Sequence, residues 1–135
     1  AALYGTVALM PPADHRLVRR RKVAADDLAG ERFISLPSAG SSRQAVDAAF
    51  GPVDRRVMVL ETPFAATICR MVSEGLGLSL VNPILTRTLK LQGIVTVPFT
   101  PHVAFKSFLL RSQLAARDTH ASHFVACVRA AFKQL

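Results

Sequence analysis

Two short polar stretches hold the residues best suited to chemistry, and each follows a strand-like segment and precedes a helix-like one. They are Gly40-Ser41-Ser42-Arg43 and Glu61-Thr62-Pro63-Phe64. We call them the first and the second junction. Together they offer helix N-terminal N–H groups, hydroxyls, one cation and one aromatic ring, which suit a small polar or carboxylate-bearing molecule. They offer no means of transforming it, so we expect no catalytic residue. Ser41 and Ser42 are equally well explained as helix caps.

A nucleophilic site is not favoured by the residues around these junctions. Ser41 and Ser42 lie outside a G-x-S-x-G motif, and a serine nucleophile also needs a histidine and an orienting carboxylate. The chain has four histidines, at His15, His102, His120 and His123. Periodicity places none of them near a predicted strand end. A small hydrolase that uses Ser41 or Ser42 is therefore the weakest of the alternatives, although triads are defined in space and not by sequence.

Metal and nucleotide sites are not indicated either. His120, His123 and Cys127 are spaced so that they could share a helix face, but no second Cys/His pair at zinc spacing accompanies them. Gly75-Leu76-Gly77 follows a helix pattern and precedes a strand pattern, which is the reverse of the order in a dinucleotide-binding loop. We therefore expect neither a metal nor a cofactor.

The elements that position the two junctions alternate between strand and helix patterns. They are a strand at 33–36, a helix at 43–50, a strand at 56–60, a helix after Pro63 and a strand at 78–81. This β-α-β-α-β order predicts an α/β sheet, in which ligands bind at the carboxyl ends of the strands.

The second helix has the clearest predicted start in the chain. We expect Thr62 as its N-cap and Pro63 as its first helical residue. Four apolar residues then fall on one face, which we expect to be buried, and they are Phe64, Ile68, Met71 and Val72.

The remaining segments are predicted from shorter patterns. They are strands at 3–10, 94–97 and 103–110, a helix at 84–91 and a terminal helix from Asp118 or Thr119. The terminal helix carries an apolar face that must pack on something, formed by Phe124, Val128, Phe132 and Leu135.

Composition limits the class of protein. The 135 residues are half apolar, which excludes a disordered basic tail and supports one domain with a real core. The chain has 17 Lys and Arg against 9 Asp and Glu, a formal charge of +8, but its one dense basic run, Arg19-Arg20-Arg21-Lys22, is read as a solvated face.

No apolar run is long enough to span a membrane, and no signal peptide is evident. Cys69 and Cys127 are expected to be buried, reduced thiols of a cytoplasmic protein.

Three longer stretches, taken in order, resemble the LysR-type transcriptional regulators. The first is Pro12-Ala13-Asp14-His15-Arg16-Leu17, and the second is Asp27-Leu28-Ala29-Gly30-Glu31-Arg32-Phe33-Ile34. The third is Met71-Val72-Ser73-Glu74-Gly75-Leu76-Gly77-Leu78-Ser79-Leu80-Val81-Asn82-Pro83. The resemblance covers essentially the whole chain and is to the second lobe of the C-terminal effector-binding domain. The second junction together with Asn82-Pro83 is similar to regulators of opine and amino-acid catabolism.

The resemblance implies a type II periplasmic-binding-protein-like fold, here one complete lobe and part of the other. Residues 1–10 would be a crossover strand from the first lobe, 11–101 the second α/β lobe, and 102–135 the return strand and C-terminal helix of the first lobe. The rest of the first lobe and an N-terminal winged helix-turn-helix would lie outside this chain, so DNA would be contacted only by that N-terminal domain.

The resemblance also implies roles for the junction residues. Ser41, Ser42 and Arg43 would meet a polar or anionic group of an effector in an interlobe cleft, and Thr62, Pro63 and Phe64 would close over it. Effector binding would shift lobe closure and the packing of a homodimer or homotetramer, and so control transcription. The alternative from another class is a solute-binding protein of similar fold that serves a transporter.

Overall fold

Strands and helices alternate along the chain in a computed structural model, which describes residues 2–4, 7–10, 15–89, 92–110, 112 and 119–133. The strands are β1 (Ala2–Tyr4), β2 (Val7–Met10), β3 (Val23–Ala24), β4 (Arg32–Ser35), β5 (Val57–Glu61), β6 (Ser79–Val81), β7 (Val95–Thr100) and β8 (Phe105–Ser107). The helices are α1 (Ser41–Ala48), α2 (Ala65–Ser73), α3 (Pro83–Leu89) and α4 (Thr119–Lys133), with a 3-10 turn at Ala25–Leu28.

Six of these strands lie side by side in the order β5-β4-β6-β2-β7-β3. Four of them form one hydrogen-bonded sheet, β4 pairs with β5, and a parallel bridge between Phe33 and Leu78 joins the two groups. β2 runs antiparallel to β6 and to β7, whereas β3 is parallel to β7 and β4 is parallel to β5. The parallel β4, β5 and β6 are linked by α1 and α2, so the predicted β-α-β-α-β order is confirmed.

The sheet has an apolar layer on each face because neighbouring residues of a strand point in opposite directions. Phe33 and Leu80 contribute to one core cluster, while Ile34 and Val81, the next residue in each strand, contribute to the other. The first cluster receives Val46 of α1. The second receives the buried face of α2, which consists of Ile68, Cys69 and Val72. The two helices therefore cover opposite faces of the sheet.

Close backbone approach holds the start of β6 against β4. The Leu78 N–H donates to the Arg32 carbonyl, the Ile34 N–H donates to the Leu78 carbonyl, and both N···O distances are 2.8 Å. The Ser79 hydroxyl donates to the Ile34 carbonyl, also at 2.8 Å. Gly77 permits this approach, since a Cβ atom there would lie 2.7 Å from the Arg32 carbonyl oxygen. β4, which carries the first junction, thereby lies between β5 and β6.

Several predicted bounds change in the structure. The segment at 3–10 forms two strands, β1 and β2, and residues 5–6 lie outside the described part. The helix predicted at 84–91 starts one residue earlier, at Pro83, and its last two predicted residues are also outside that part. The strand predicted at 94–97 continues to Thr100. Only three residues of the segment at 103–110 form a strand, which is β8.

The chain divides into two compact units. One comprises Tyr4–Phe105 and contains the six-stranded sheet, and the other comprises Ala1–Leu3 and Lys106–Leu135 and contains α4. Strand β1 pairs with β8.

The predicted apolar face of α4 is wrong in part. The half-buried positions of this helix include Ala121, Val125 and Val128, whereas Phe124 and Phe132 are exposed. The better covered face therefore shares Val128 with the predicted one but excludes Phe124 and Phe132. Leu135 and Asp118 lie outside the described residues. Among the described residues, the structure contains no helix both long and apolar enough to cross a bilayer.

Candidate functional site

The two junctions start from strand ends that are paired with each other. Ser35 at the end of β4 is in register with Glu61 at the end of β5. The Thr62 N–H continues the ladder by donating to the Ser35 carbonyl at 3.0 Å. Since β4 and β5 are parallel, the two strands end at the same edge of the sheet, and α1 and α2 each begin shortly after a strand end. The structure therefore brings the two junctions together at the carboxyl ends of adjacent strands.

The first junction starts its helix without a serine cap, so the alternative interpretation of Ser41 and Ser42 as helix caps is wrong. Gly40 is the N-cap, no side chain bonds to it, and Ser41 is already the first helical residue. The Gly40 carbonyl accepts the N–H of Gln44 at 3.0 Å, which is the first helical hydrogen bond. The Ser41 side chain is exposed and that of Ser42 is half-buried. Because neither hydroxyl serves as a cap, both are available to another partner.

The second junction starts its helix later than its sequence predicts. Phe64 is the N-cap of α2, and Ala65 is the first helical residue, so the predicted roles of Thr62 and Pro63 are wrong. Phe64 has an extended backbone (φ −104°, ψ 104°), and its residue is 67% exposed, so it does not join the buried face. Ile68 and Val72 are buried as predicted, and Met71 is half-buried.

Arg43 of the first junction contacts Glu61 of the second. Its side chain is 9% exposed, and its Nη1 donates to Glu61 Oε1 at 2.6 Å and to the Leu36 carbonyl at 2.9 Å. Its Nε lies 2.7 and 2.8 Å from the two carboxylate oxygens of Asp47, one helical turn later. Burial lowers the pKa of Arg43, but the hydrogen bonds that it donates to Glu61 and Asp47 outweigh this effect and raise that pKa, so the guanidinium stays charged. Arg43 thus joins α1 to the end of β5.

A second, fully buried guanidinium extends this contact chain away from the junctions. The side chain of Arg56 is 0% exposed, and its Nη2 lies 2.6 Å from Asp47 Oδ1 and 2.5 Å from Asp54 Oδ2. Its guanidinium carbon lies 4.6 Å from the ring centroid of Phe33 and 3.6 Å from that of Phe50. The hydrogen bonds from Arg56 lower the pKa of Asp54. We call the sequence of contacts Glu61–Arg43–Asp47–Arg56–Asp54 the ion-pair chain.

Sequence reasoning missed Asp47 and Arg56. The spacing of Arg43 and Asp47 is one helical turn, which is a readable signal for an i, i+4 pair. No comparable signal exists for Arg56, because its burial depends on two aromatic rings from separate elements. Its Nη1 is buried and has no hydrogen-bond partner within the described part of the chain.

The other reactive residues do not form a second site. No group of three His, Cys, Asp or Glu among the described residues is placed to hold a metal ion. Cys69 is buried, and burial raises the pKa of its thiol. Cys127 is exposed on α4, so the prediction that both thiols are buried is wrong for this one. The four residues of the basic run are exposed as predicted, and Arg20 pairs with Asp27 at 2.9 Å.

This arrangement of a mostly parallel sheet, covered on both faces, is matched by a known family. The model of the LysR substrate binding domain matches residues 6–133. The chain belongs to the LysR substrate-binding domain family. Its resemblance to the LysR-type regulators, predicted from three sequence stretches, is confirmed.

Curated relatives of this LysR-type domain are longer proteins. The transcriptional activator protein LysR of Escherichia coli (strain K12) is 37% identical over 106 residues, which cover 78% of this chain and 34% of that protein. The regulatory protein NocR of Agrobacterium tumefaciens (strain T37) is 29% identical over 136 residues, which cover 98% of this chain and 44% of that protein. The chain therefore spans between a third and a half of these relatives.

Solved structures of the family share the fold. The regulatory domain of CcmR from Synechocystis PCC6803 matches with a TM-score of 0.71 at 19% identity, over 98% of this chain and 65% of that one. HinK, a LysR family regulator from Pseudomonas aeruginosa, matches with a TM-score of 0.63 at 24% identity, over 83% of this chain and 40% of that one. These similarities confirm the predicted type II periplasmic-binding-protein-like fold.

Proposed function

We propose that the chain senses a small effector for a bacterial LysR-type transcriptional regulator that acts in the cytoplasm. Family membership supports this role, and so do the names of its relatives, a transcriptional activator and a regulatory protein. The proposed effector is a polar or carboxylate-bearing metabolite of amino-acid or opine type. The proposed function is binding without a reaction.

The observation that carries this proposal is the pairing of Ser35 with Glu61, which starts both junctions at one edge of the sheet. Open α/β sheets bind ligands at the carboxyl ends of their strands. We propose that the effector contacts the junction residues Ser41, Ser42, Arg43, Thr62, Pro63 and Phe64. The regulatory domain of CcmR, which has the same fold, is described in complex with 2-PG.

Different parts of the junctions have different proposed roles. An effector carboxylate would be met by the first N–H groups of α1 and by the hydroxyls of Ser41 and Ser42, since a helix N-terminus carries a partial positive charge. Arg43 is largely neutralised by Asp47 and Glu61, so besides contacting the effector its proposed role is to fix the two junctions relative to each other. The exposed ring of Phe64 would cover the bound molecule.

The proposed mechanism needs parts of the protein beyond these junctions. We propose that residues 11–101 form the second lobe, that 1–10 are a crossover strand, and that 102–135 return to the first lobe. The effector would lie in the cleft between lobes and shift the packing of a homodimer or homotetramer. DNA would be bound by a winged helix-turn-helix outside this chain. A molecule that binds two packings equally would switch nothing.

The test uses the protein expressed from the complete reading frame that encodes this chain. Thermal shifts are recorded with amino acids, opines and small dicarboxylic acids, and compounds that bind are tested for a changed operator footprint. Truncation in Phe64→Ala should weaken binding by about tenfold, as expected when an aromatic contact is lost. The matched control is Leu76→Ala, which truncates an exposed apolar residue beyond the other end of α2.

Each outcome separates the alternatives. Binding with a changed footprint that Phe64→Ala weakens and Leu76→Ala does not supports the proposal. Binding without any effect on DNA would favour a solute-binding protein instead. If no compound in the panel binds, the proposed function is wrong.

A further inference from the structure

The ion-pair chain carries one negative charge more than it carries positive ones. Its bases are Arg43 and Arg56, and its acids are Asp47, Asp54 and Glu61. A surplus carboxylate is notable in a protein whose formal charge is +8. The position of that surplus charge follows from how fully each acid is engaged.

Two of the three acids are engaged inside the chain. Asp47 contacts both guanidinium groups, at 2.7 Å from Arg43 and 2.6 Å from Arg56. Asp54 receives three contacts from the Arg56 guanidinium and one from the Arg56 N–H. These carboxylates therefore account for the charge of the two arginines.

Glu61 is the least engaged of the three acids. One of its oxygens, Oε1, accepts a hydrogen bond from Arg43, and the other accepts none from the residues that the structure describes. Its side chain is 42% exposed. It stands at the carboxyl end of β5, in register with Ser35, where both junctions begin. The surplus negative charge of the ion-pair chain is thus presented at the candidate site.

The neighbouring contacts keep this carboxylate in place. Arg43 is anchored by Asp47 and by the Leu36 carbonyl, independently of Glu61. The guanidinium therefore holds Oε1 from a fixed position, and Oε2 remains open to a second donor. A carboxylate with one oxygen fixed and the other open can bind a cationic nitrogen well, because charge-assisted hydrogen bonds are roughly twice as strong as neutral ones.

We propose that Glu61 selects an effector that carries a cationic nitrogen, an ammonium or guanidinium group, beside its carboxylate. This inference rests on the proposed function and adds Glu61 as a specificity-determining residue of the same site. The cationic group would bind Glu61 at the end of β5, and the effector carboxylate would bind at the start of α1. An anionic effector without such a group would meet the surplus negative charge of the ion-pair chain.

The test compares pairs of compounds on the protein from the complete reading frame. Every amino acid or opine that binds is compared with the analogue in which a hydroxyl replaces its amino group, such as the 2-hydroxy acid. We expect the analogue to bind the unmodified protein about ten- to a hundredfold more weakly. In Glu61→Gln, the binding of the nitrogen-containing compound should weaken by a similar factor. The variant should therefore no longer prefer it over the hydroxyl analogue.

The Glu61→Gln variant is expected to fold, because the amide oxygen of a glutamine side chain could still accept from Arg43 while Asp47 keeps the guanidinium paired. Its thermal midpoint checks this directly. The control is Glu74→Gln, which removes the same charge from an exposed pair with Arg70 on α2. It should leave the preference unchanged.

Three results would overturn the inference. They are binding only by compounds without a cationic nitrogen, equal binding of both members of a pair, and an unchanged preference in Glu61→Gln. In each of these cases the proposed effector-sensing function stands. If no compound binds the unmodified protein, the proposed function fails and this inference fails with it.

Discussion

Replacing Arg56 by methionine should destabilise the protein much more than replacing an exposed arginine. The Arg56 side chain is fully buried, lies between two aromatic rings and pairs with two carboxylates. Methionine keeps much of the aliphatic packing of the arginine stem. The substitution therefore tests the charge and the ring contacts of the guanidinium and leaves the packing of the stem largely intact.

The expected magnitude follows from three contributions. Breaking a buried ion pair costs about 3–5 kcal/mol, and the lower end applies because Asp47 and Asp54 are each about a third exposed and can be hydrated. Losing the cation–π contacts adds about 1 kcal/mol. Removing the buried Nη1, which has no hydrogen-bond partner among the described residues, offsets about 1 kcal/mol of this loss. The sum is a loss of about 3 kcal/mol, or roughly 10 °C in thermal midpoint for a domain of this size.

The assay is calorimetry at neutral pH, with two further variants as references. Arg20→Met removes an arginine that is 51% exposed and paired with Asp27, so it should cost less than about 1 kcal/mol. Arg56→Lys keeps the charge but loses the planar fork, and it should fall between the two methionine variants. If Arg56→Met and Arg20→Met melt within about 3 °C of each other, this account of the ion-pair chain is refuted.

Three further predictions concern acid, backbone and thiols. Arg56 lowers the pKa of Asp54, so the ionised carboxylate stabilises the native state above the ordinary aspartate pKa, and this stability is lost as the pH falls below about 4. On acidification the melting temperature should therefore fall less steeply for Arg56→Met than for the unmodified protein. Gly77→Ala should cost about 1–3 kcal/mol in denaturant unfolding, since its Cβ would lie 2.7 Å from a carbonyl oxygen of β4, and unfolding at the unmodified midpoint would refute that close approach. A thiol reagent should label Cys127 quickly and Cys69 only on unfolding, because Cys69 is buried and its thiol pKa is raised; rapid labelling of two thiols would contradict this burial.

The order of elements could be predicted because each depends on local patterns. The apolar runs that became β4, β5 and β6 and the helical periods between them are visible along the chain. Helix starts were less predictable. Thr62-Pro63 is a strong start signal, yet α2 begins at Ala65, because the Thr62 N–H bonds to Ser35 and extends the β4–β5 ladder. A contact between strands thus overrode a local preference.

The location of the candidate site could be predicted from the sequence, but the pairing of its charged side chains could not. Both junctions follow strands, and parallel strands end at one edge, so their proximity follows from sequence. The engagement of Arg43 by Glu61 joins residues 18 positions apart, and no spacing rule indicates it. The sequence suggested a cation for an anionic ligand, whereas the structure pairs that cation and leaves part of a carboxylate open.

The sequence by itself determined the family, the α/β class and the two junctions, since these depend on residue patterns that act over a few turns or strand residues. Only the tertiary structure decided that Arg56 is buried between Phe33 and Phe50, that Asp47 is shared by two arginines, and that Glu61 presents the surplus charge. Electrostatic roles depend on distance and exposure, which are set when separate elements pack together. Residue type fixes which charges exist, and packing decides which of them remain available.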